Sequence, residues 1–268
     1  MWNEARIINA TANFLTVLAV CALLIGAAVW LVRLPAFDFK RIEIVSSPQA
    51  SFQYIAPDVI RSAIAGQLFG NFFTMDLRRT REAFESAPWV RQARVRRVWP
   101  NVLRVTLEEQ SPLGLWNENQ LLNTWGEVFT ANRAALENEA SMPQFQGPEG
   151  TESLMVQRFA ELGARFDQLG IQVQGLSLTN RYALQATLSN GMTLDLGRDP
   201  GAEAPDPQAG VPGAVTFGER IERFVRTWPK VSAQLMDREV KHIDLRYPDG
   251  FALTLAPLPD SKQPKEKR

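Results

Sequence analysis

One histidine and one cysteine bound the chemistry open to this chain of 268 residues. His242 stands alone, with no serine elbow, no cysteine partner and no carboxylate cluster beside it in sequence. Nucleophilic catalysis needs a nucleophile, a base and an orienting group together, so His242 reads as structural. Cys21 lies inside the longest apolar run. Two such residues cannot supply metal-ligand spacing, and no Gly-rich phosphate loop is present. The sequence therefore implies no cofactor, no metal and no catalytic residue. Carboxylates number 29, and a pair meeting in space stays open, because sequence does not show proximity.

A second chemistry is suggested by residues 88–109, PWVRQARVRRVWPNVLRVTLEE. Arg91, Arg94, Arg96, Arg97 and Arg104 crowd here, with Trp89 and Trp99 among them. Basic residues interleaved with aromatics are a footprint of nucleic-acid binding. Such binders carry a positive excess, whereas the net charge of this chain is zero. The segment also alternates. Ala93 and Val95 interleave with Arg94 and Arg96, and Leu103, Val105 and Leu107 interleave with Arg104 and Thr106. With Trp-Pro-Asn as the turn, this predicts a hairpin with one apolar face and one wet face. Arg94, Arg96 and Arg104 belong to the wet face, and no nucleic acid is needed to explain them.

The elements that would position such a hairpin follow from periodicity. No charged residue occurs from Ile7 to Val32, between Arg6 and Arg33. A bilayer core takes roughly 20 helical residues, and a signal peptide's apolar region is about 7–15. The run therefore predicts an uncleaved transmembrane helix over 7–33, after a short tail at 1–6. Arg6 against Arg33, Lys40 and Arg41 does not set the orientation by charge, since long following domains cross largely regardless of it.

Beyond the anchor, 37–46 alternates as a strand, Pro57 opens a helix, and Asp76 is a plausible N-cap for a second helix that Pro88 stops. The order over 37–109 is strand, helix, helix, strand, strand, with a modest basic bias. A second region spans 110–258. It has short strands near Asn117–Asn119, a loop at MPQFQGPEG, and a helix ending at Gly170. Strands joined at Asn190-Gly191 follow, then a helix from Phe217 to about Trp228, and a final hairpin across Pro-Asp-Gly at 248–250. Residues 199–213 read as a flexible insert and 259–268 as a disordered tail. The fold class is α+β: one membrane helix, a β-α-α-β-β unit, and a mixed β-sheet domain with two helices.

These pieces resemble the FtsQ/DivIB family of bacterial division proteins. The likeness runs from the anchor to about Pro259. It is carried by the 88–109 hairpin with the SPLGLW that follows it, LLNTWGEVF, DLGR, ERIERFV and HIDLRYPDGFALTLAPLP. It implies a POTRA domain at 37–109 and a β domain at 110–258. It also implies a cytoplasmic N-terminus, a bulk in the periplasm, a single pass through the cell inner membrane, and concentration at the septum. The implied function is a non-enzymatic divisome scaffold linking early and late division proteins and helping control septal peptidoglycan synthesis. FtsB and FtsL are the implied partners, with FtsK, FtsW and FtsI as further divisome contacts. The alternative is a membrane-anchored periplasmic cell-wall enzyme using scattered carboxylates. No β-barrel pattern of alternating ten-residue segments supports an outer-membrane transporter.

The expected site is the final hairpin. A terminal strand leaves one edge of backbone unpaired, and such an edge receives another chain by strand addition. Tyr247, Gly250, Phe251, Leu253 and Leu255 form this expected site, with Tyr247 as the anchor. The resemblance adds Arg246 and Arg198 as partners for acidic residues on an FtsB-type strand. Arg94, Arg96 and Arg104 are a weaker expectation, as a recruitment surface on the POTRA unit.

Overall fold

A computed structural model describes residues 2–47, 51–198, 215–235 and 238–256. The insert at 199–213 and the tail at 259–268 expected from sequence lie outside the described residues. The chain divides into two compact units, Met1–Gln110 and Ser111–Arg268.

The first unit begins with α1 (Trp2–Val32). Its stretch Asn9–Val32 has a mean hydropathy of 2.7, and none of it is buried by the rest of the protein. At 1.5 Å rise per residue, these 24 residues span about 36 Å, enough to cross a hydrocarbon core of about 30 Å. The helix starts ahead of the apolar run, within the segment read as a tail, because nothing in Asn3, Glu4 or Arg6 breaks a helix.

The POTRA-like sheet contains β1 (Arg41–Ser46), β2 (Val90–Val98) and β3 (Val102–Glu109), in the order β1-β3-β2. β1 is parallel to β3, and β2 is antiparallel to it. Two helices are added, α2 (Pro57–Ile64) and α3 (Leu77–Glu85). Pro57 sits in the first turn of α2, where its missing N–H costs nothing. The Asp76 carboxylate caps α3 by accepting from the N–H groups of Arg78 and Arg79. Leu103, Val105 and Leu107 are buried together with Ile60 and Phe84 of the helices. Register places Arg94 opposite Thr106, and Arg96 opposite Arg104, on the other face.

The first strand is shorter than its alternation suggests. Pro35–Phe37 makes a 3-10 turn instead. There the Phe37 carbonyl accepts from the Phe72 N–H at 2.9 Å, and the Lys40 N–H donates to Asn101 at 3.0 Å. The β2–β3 turn contains a cis Trp99–Pro100 peptide. At the end of β3, the Glu109 carboxylate accepts three backbone N–H groups, from Gln53 (2.8 Å), Tyr54 (2.5 Å) and Ile55 (2.6 Å). One side chain thus fixes the approach to α2.

The second unit is built on a nine-stranded mixed sheet. Its strands are β4 (Pro112–Trp116), β5 (Gln120–Asn123), β6 (Val128–Phe129), β7 (Gln144–Gln146), β8 (Val173–Leu178), β9 (Ala183–Leu188), β10 (Thr193–Arg198), β11 (Val240–Asp244) and β12 (Ala252–Leu255). Their order is β12-β11-β10-β9-β8-β7-β4-β5-β6. Phe145, Leu176, Ala186, Leu194, Ile243 and Leu253 occupy one row of register partners. They join the core formed with α4 (Glu152–Phe166) and α5 (Phe217–Gln234). The neighbouring row, Gln146, Ser177, Gln185 and Asp195, is polar and lies on the opposite face. Two helices on one face and water on the other is the usual solution for such a sheet.

Three features differ from the sequence reading. MPQFQGPEG contains β7, a strand internal to the sheet, flanked by β4 and β8. Gly114 permits that pairing: a Cβ there would sit 2.3 Å from the Pro143 carbonyl oxygen. α5 runs past Trp228 to Gln234 with Pro229 inside it, since burial of Trp228 against Phe224 (ring centroids 5.4 Å apart) holds the helix through the proline. Finally, 248–250 is not a tight hairpin turn. β11 ends at Asp244 and β12 begins at Ala252, leaving a seven-residue loop at 245–251.

Candidate functional site

β12 is one of the two edge strands of the nine-stranded sheet, and the longer one, since β6 at the opposite edge has only two residues. It pairs with β11 on one side, and among the described residues no strand lies on the other. Side chains alternate along it. Ala252 and Thr254 are exposed, whereas Leu253 and Leu255 are half-buried and pack on the core. Phe251 is directed inward too, its ring edge-on to Phe224 at 5.6 Å. Phe251, Leu253 and Leu255 therefore hold the strand down rather than project from it. What β12 offers outward is its backbone edge, a row of N–H and C=O groups able to template another strand.

The loop leading into β12 is held from behind by α5. The Arg223 guanidinium donates to the carbonyls of Tyr247 (2.8 Å), Pro248 and, more weakly, Gly250 (3.4 Å). A planar fork of five donors suits three converging carbonyls. Tyr247 stands out from this loop, 54% exposed. Gly250 contributes a carbonyl to the Arg223 fork rather than a surface of its own.

Arg246 is set by a separate interaction. Its guanidinium donates to both Asp244 oxygens, at 2.8 and 2.7 Å, and its backbone N–H donates to the same carboxylate at 3.0 Å. The side-chain bond from Arg246 holds the Asp244 carboxyl below its ordinary range, and the same pairing raises the Arg246 guanidinium. Its stem crosses Gly197, where an added Cβ would lie 3.3 Å from Arg246 Cγ. Gly197 has φ +82° at a register shift in β10, a conformation that favours glycine. Arg246 consequently lies one residue from Arg198, the exposed end of β10. The Arg198 carbonyl accepts from buried Arg220 at 3.2 Å. Arg198, Arg246 and Tyr247 thus lie at the end of the sheet where β10 and β11 finish, Arg198 on the strand two places in from β12.

Sequence reasoning did not single out Arg220 and Arg223, although both are in ERIERFVRTW at i, i+3 spacing. That spacing places two arginines on neighbouring positions of one helix face, a signal that two carbonyl-rich segments would need them.

His242 lies on β11 with Thr193 as its register partner. Thr193 Oγ1 and His242 Nδ1 are 2.9 Å apart, and His242 Nε2 is 3.4 Å from the Asp195 carboxylate. Gln185 donates to the same carboxylate at 2.8 Å. The group links β9, β10 and β11 across the polar face.

In the first unit, Arg104 donates to Glu43 of β1 at 3.0 and 2.9 Å, a cross-strand pair. Arg94 and Arg96 are exposed. Arg97 lies on the apolar face, opposite Leu103, and donates to the Met75 carbonyl at 2.6 Å.

This architecture has relatives. The family described as cell division protein FtsQ/DivIB, C-terminal, matches residues 114–246, and the POTRA domain, FtsQ-type, matches 50–110. Along nearly its full length the chain is 59% identical to the cell division protein FtsQ of Bordetella pertussis, over 259 residues covering 97% of this chain and 94% of that protein. The chain belongs to the FtsQ/DivIB family. Cell division proteins FtsQ of Burkholderia pseudomallei (40% identity, 96% and 95% covered) and Nitrosospira multiformis (32%, 94% and 98%) align over a similar extent. This FtsQ-family chain is accordingly a cell division protein, and its one long apolar helix among the described residues fits a single-pass membrane protein. The C-terminal family match stops at Arg246, so Tyr247 and β12 lie just past it.

Proposed function

We propose that this chain is a non-enzymatic divisome scaffold that receives an FtsB-type partner by strand addition to β12. The observation that carries the proposal is the outer edge of β12, unpaired among the described residues, with Tyr247 and Arg246 in the loop that leads into it and Arg198 at the end of β10. Main-chain bonds along the edge would supply affinity, and the adjoining side chains would supply specificity. Arg198 is exposed and offers a guanidinium to an acidic partner. In this reading FtsL joins the same complex, and FtsK, FtsW and FtsI are further contacts. The N-terminus faces the cytoplasm, the bulk lies in the periplasm, and the protein concentrates at the septum of the inner membrane. Arg94 and Arg96 remain on the exposed POTRA face as a recruitment surface. Arg104 is committed to Glu43.

The test is capture of a synthetic FtsB periplasmic segment by the full chain in lipid nanodiscs. Tyr247 is exposed, so Tyr247→Ala should leave the circular dichroism spectrum unchanged. Truncating an interface anchor costs about 2 kcal/mol or more, and capture should weaken roughly 30-fold. Undiminished capture would remove Tyr247 and the edge beside it from the proposal.

A further inference from the structure

The first unit exposes large aromatics that neither its core nor the proposed partner edge explains. Phe69 is 75% exposed, Trp99 65% and Phe73 47%. They belong to two separate segments, the loop before α3 and the β2–β3 turn. Ring contacts bring Phe73 and Trp99 together over Phe37 and Phe72, and Phe69 lies four residues before Phe73 on the same loop. Trp99 lies 5.4 Å from Phe72 and 6.1 Å from Phe37, and Phe73 lies 4.9 Å from Phe37 and 5.3 Å from Phe72. Phe37 and Phe72 are half-buried and form the base on which the exposed rings stand.

The position of this cluster says what it meets. Asn71 is buried, and its Nδ2 donates to the Val32 carbonyl at 2.6 Å. Val32 is the last residue of the membrane-spanning helix. The Asn71 Oδ1 accepts from the N–H groups of Phe73 and Thr74. One buried side chain therefore ties the Phe69–Phe73 loop to the end of the span. Trp30, on the final turn of α1, is 67% exposed, and tryptophan at a span end sits at headgroup level. Arg33 and Lys40 are exposed close by in the chain, and such cations can reach lipid phosphates while their stems stay on apolar surface.

We propose that Phe69, Phe73 and Trp99 enter the headgroup–acyl boundary of the phospholipid bilayer around α1, giving the POTRA unit a second, non-spanning membrane contact. The occupant is lipid because the Asn71–Val32 bond holds the cluster against the end of the apolar span, whose last turn carries exposed Trp30. The Phe69 and Phe73 rings are wholly apolar, as the buried face of an interfacial contact requires, and the Trp99 indole adds an N–H that can stay at headgroup level.

The full chain can be tested directly. Cys21 is the only cysteine, so Cys21→Ser gives a background for single labels. Nitroxides at Phe69→Cys and at Phe73→Cys, in nanodiscs of phosphatidylethanolamine and phosphatidylglycerol, should collide more with oxygen than with an aqueous nickel chelate. A label at Arg94→Cys, on the exposed strand face, should show the opposite preference. Labels at 69 and 73 that behave like the one at 94 would overturn the proposal. So would labels shielded from both quenchers, which would mean that protein covers the cluster. An unlabelled variant gives an independent reading: W99F should lose part of the tryptophan quenching caused by lipids brominated high on the acyl chain. Unchanged quenching would count against lipid contact at Trp99.

Discussion

Arg223 joins α5 to the 245–251 loop, and removing its side chain tests whether that loop is held in place for a partner. Two of its three carbonyl contacts are short, to Tyr247 and Pro248, and the third, to Gly250, is long at 3.4 Å. A hydrogen bond from a charged donor contributes about 1.5–3 kcal/mol when shielded from water. Arg223 is half-exposed, and water competes for the same carbonyls, which brings the whole fork to about 1–2 kcal/mol. Arg223→Ala should raise the population of the open loop about 5- to 30-fold. Hydrogen exchange across 245–251 in the full chain reads that factor directly. Capture of the FtsB segment should weaken by no more than the same factor, because only the competent fraction is reduced. Arg223→Lys should fall between, as one ammonium cannot span three carbonyls in the manner of a planar fork. Unchanged exchange in Arg223→Ala would refute the idea that this side chain orders the loop. Unchanged capture from a variant whose exchange shows the loop mostly open would mean that loop order is irrelevant to binding.

Other substitutions probe the scaffold. Glu109→Ala strips the acceptor from three backbone N–H groups and should cost about 2–3 kcal/mol, read as a lower denaturation midpoint of the first unit. Gly114→Ala places a Cβ 2.3 Å from the Pro143 carbonyl and 2.5 Å from the Phe145 ring. It should destabilise the second unit by about 3 kcal/mol, visible in thermal unfolding. The Asp244 carboxyl is held below its ordinary value of 3.8, chiefly by the Arg246 side chain. Its contribution is complete above about pH 3.8 and is lost as pH falls through the lower folded value. Asp244→Asn should remove that acid-range component of the unfolding curve and leave the rest unchanged.

Local signals were legible in the sequence where the physics is local. The carboxylate of Asp76 caps α3, Gly170 ends a helical run at φ +67°, and Gly191 takes φ +81° in the β9–β10 turn. Each depends on neighbours within a few residues. The alternation of 88–109 gave the hairpin and most of its wet face for the same reason. The same period puts Arg97 on the apolar face opposite Leu103, and only the Met75 carbonyl 22 residues away that its guanidinium meets was hidden from sequence. Arg104 looked like a free surface charge, although its partner Glu43 is 61 residues distant. β7 has only three residues, too few to show a period. The 245–251 loop read as a tight turn because Pro-Asp-Gly is a turn sequence, while the arginine that spreads it belongs to α5. Near the candidate site, the sequence marked out the terminal strand and Tyr247, which the structure leaves exposed. It could not show that Phe251, Leu253 and Leu255 face the core, since that depends on which side of the sheet the helices cover.

The brevity of β12 gives the anchor a thermodynamic role. Four residues can add at most about four main-chain hydrogen bonds, each contributing roughly 0.5–1.5 kcal/mol net. Association from free solution costs an estimated 4–15 kcal/mol or more in lost translation and rotation. An edge this short is therefore a weak receptor for a strand arriving from bulk water. A partner held in the same bilayer would change the arithmetic, because tethered partners meet at effective concentrations that reach the millimolar range. In the proposed complex the apolar helix would thus contribute to the affinity of β12 by raising the local concentration of its partner.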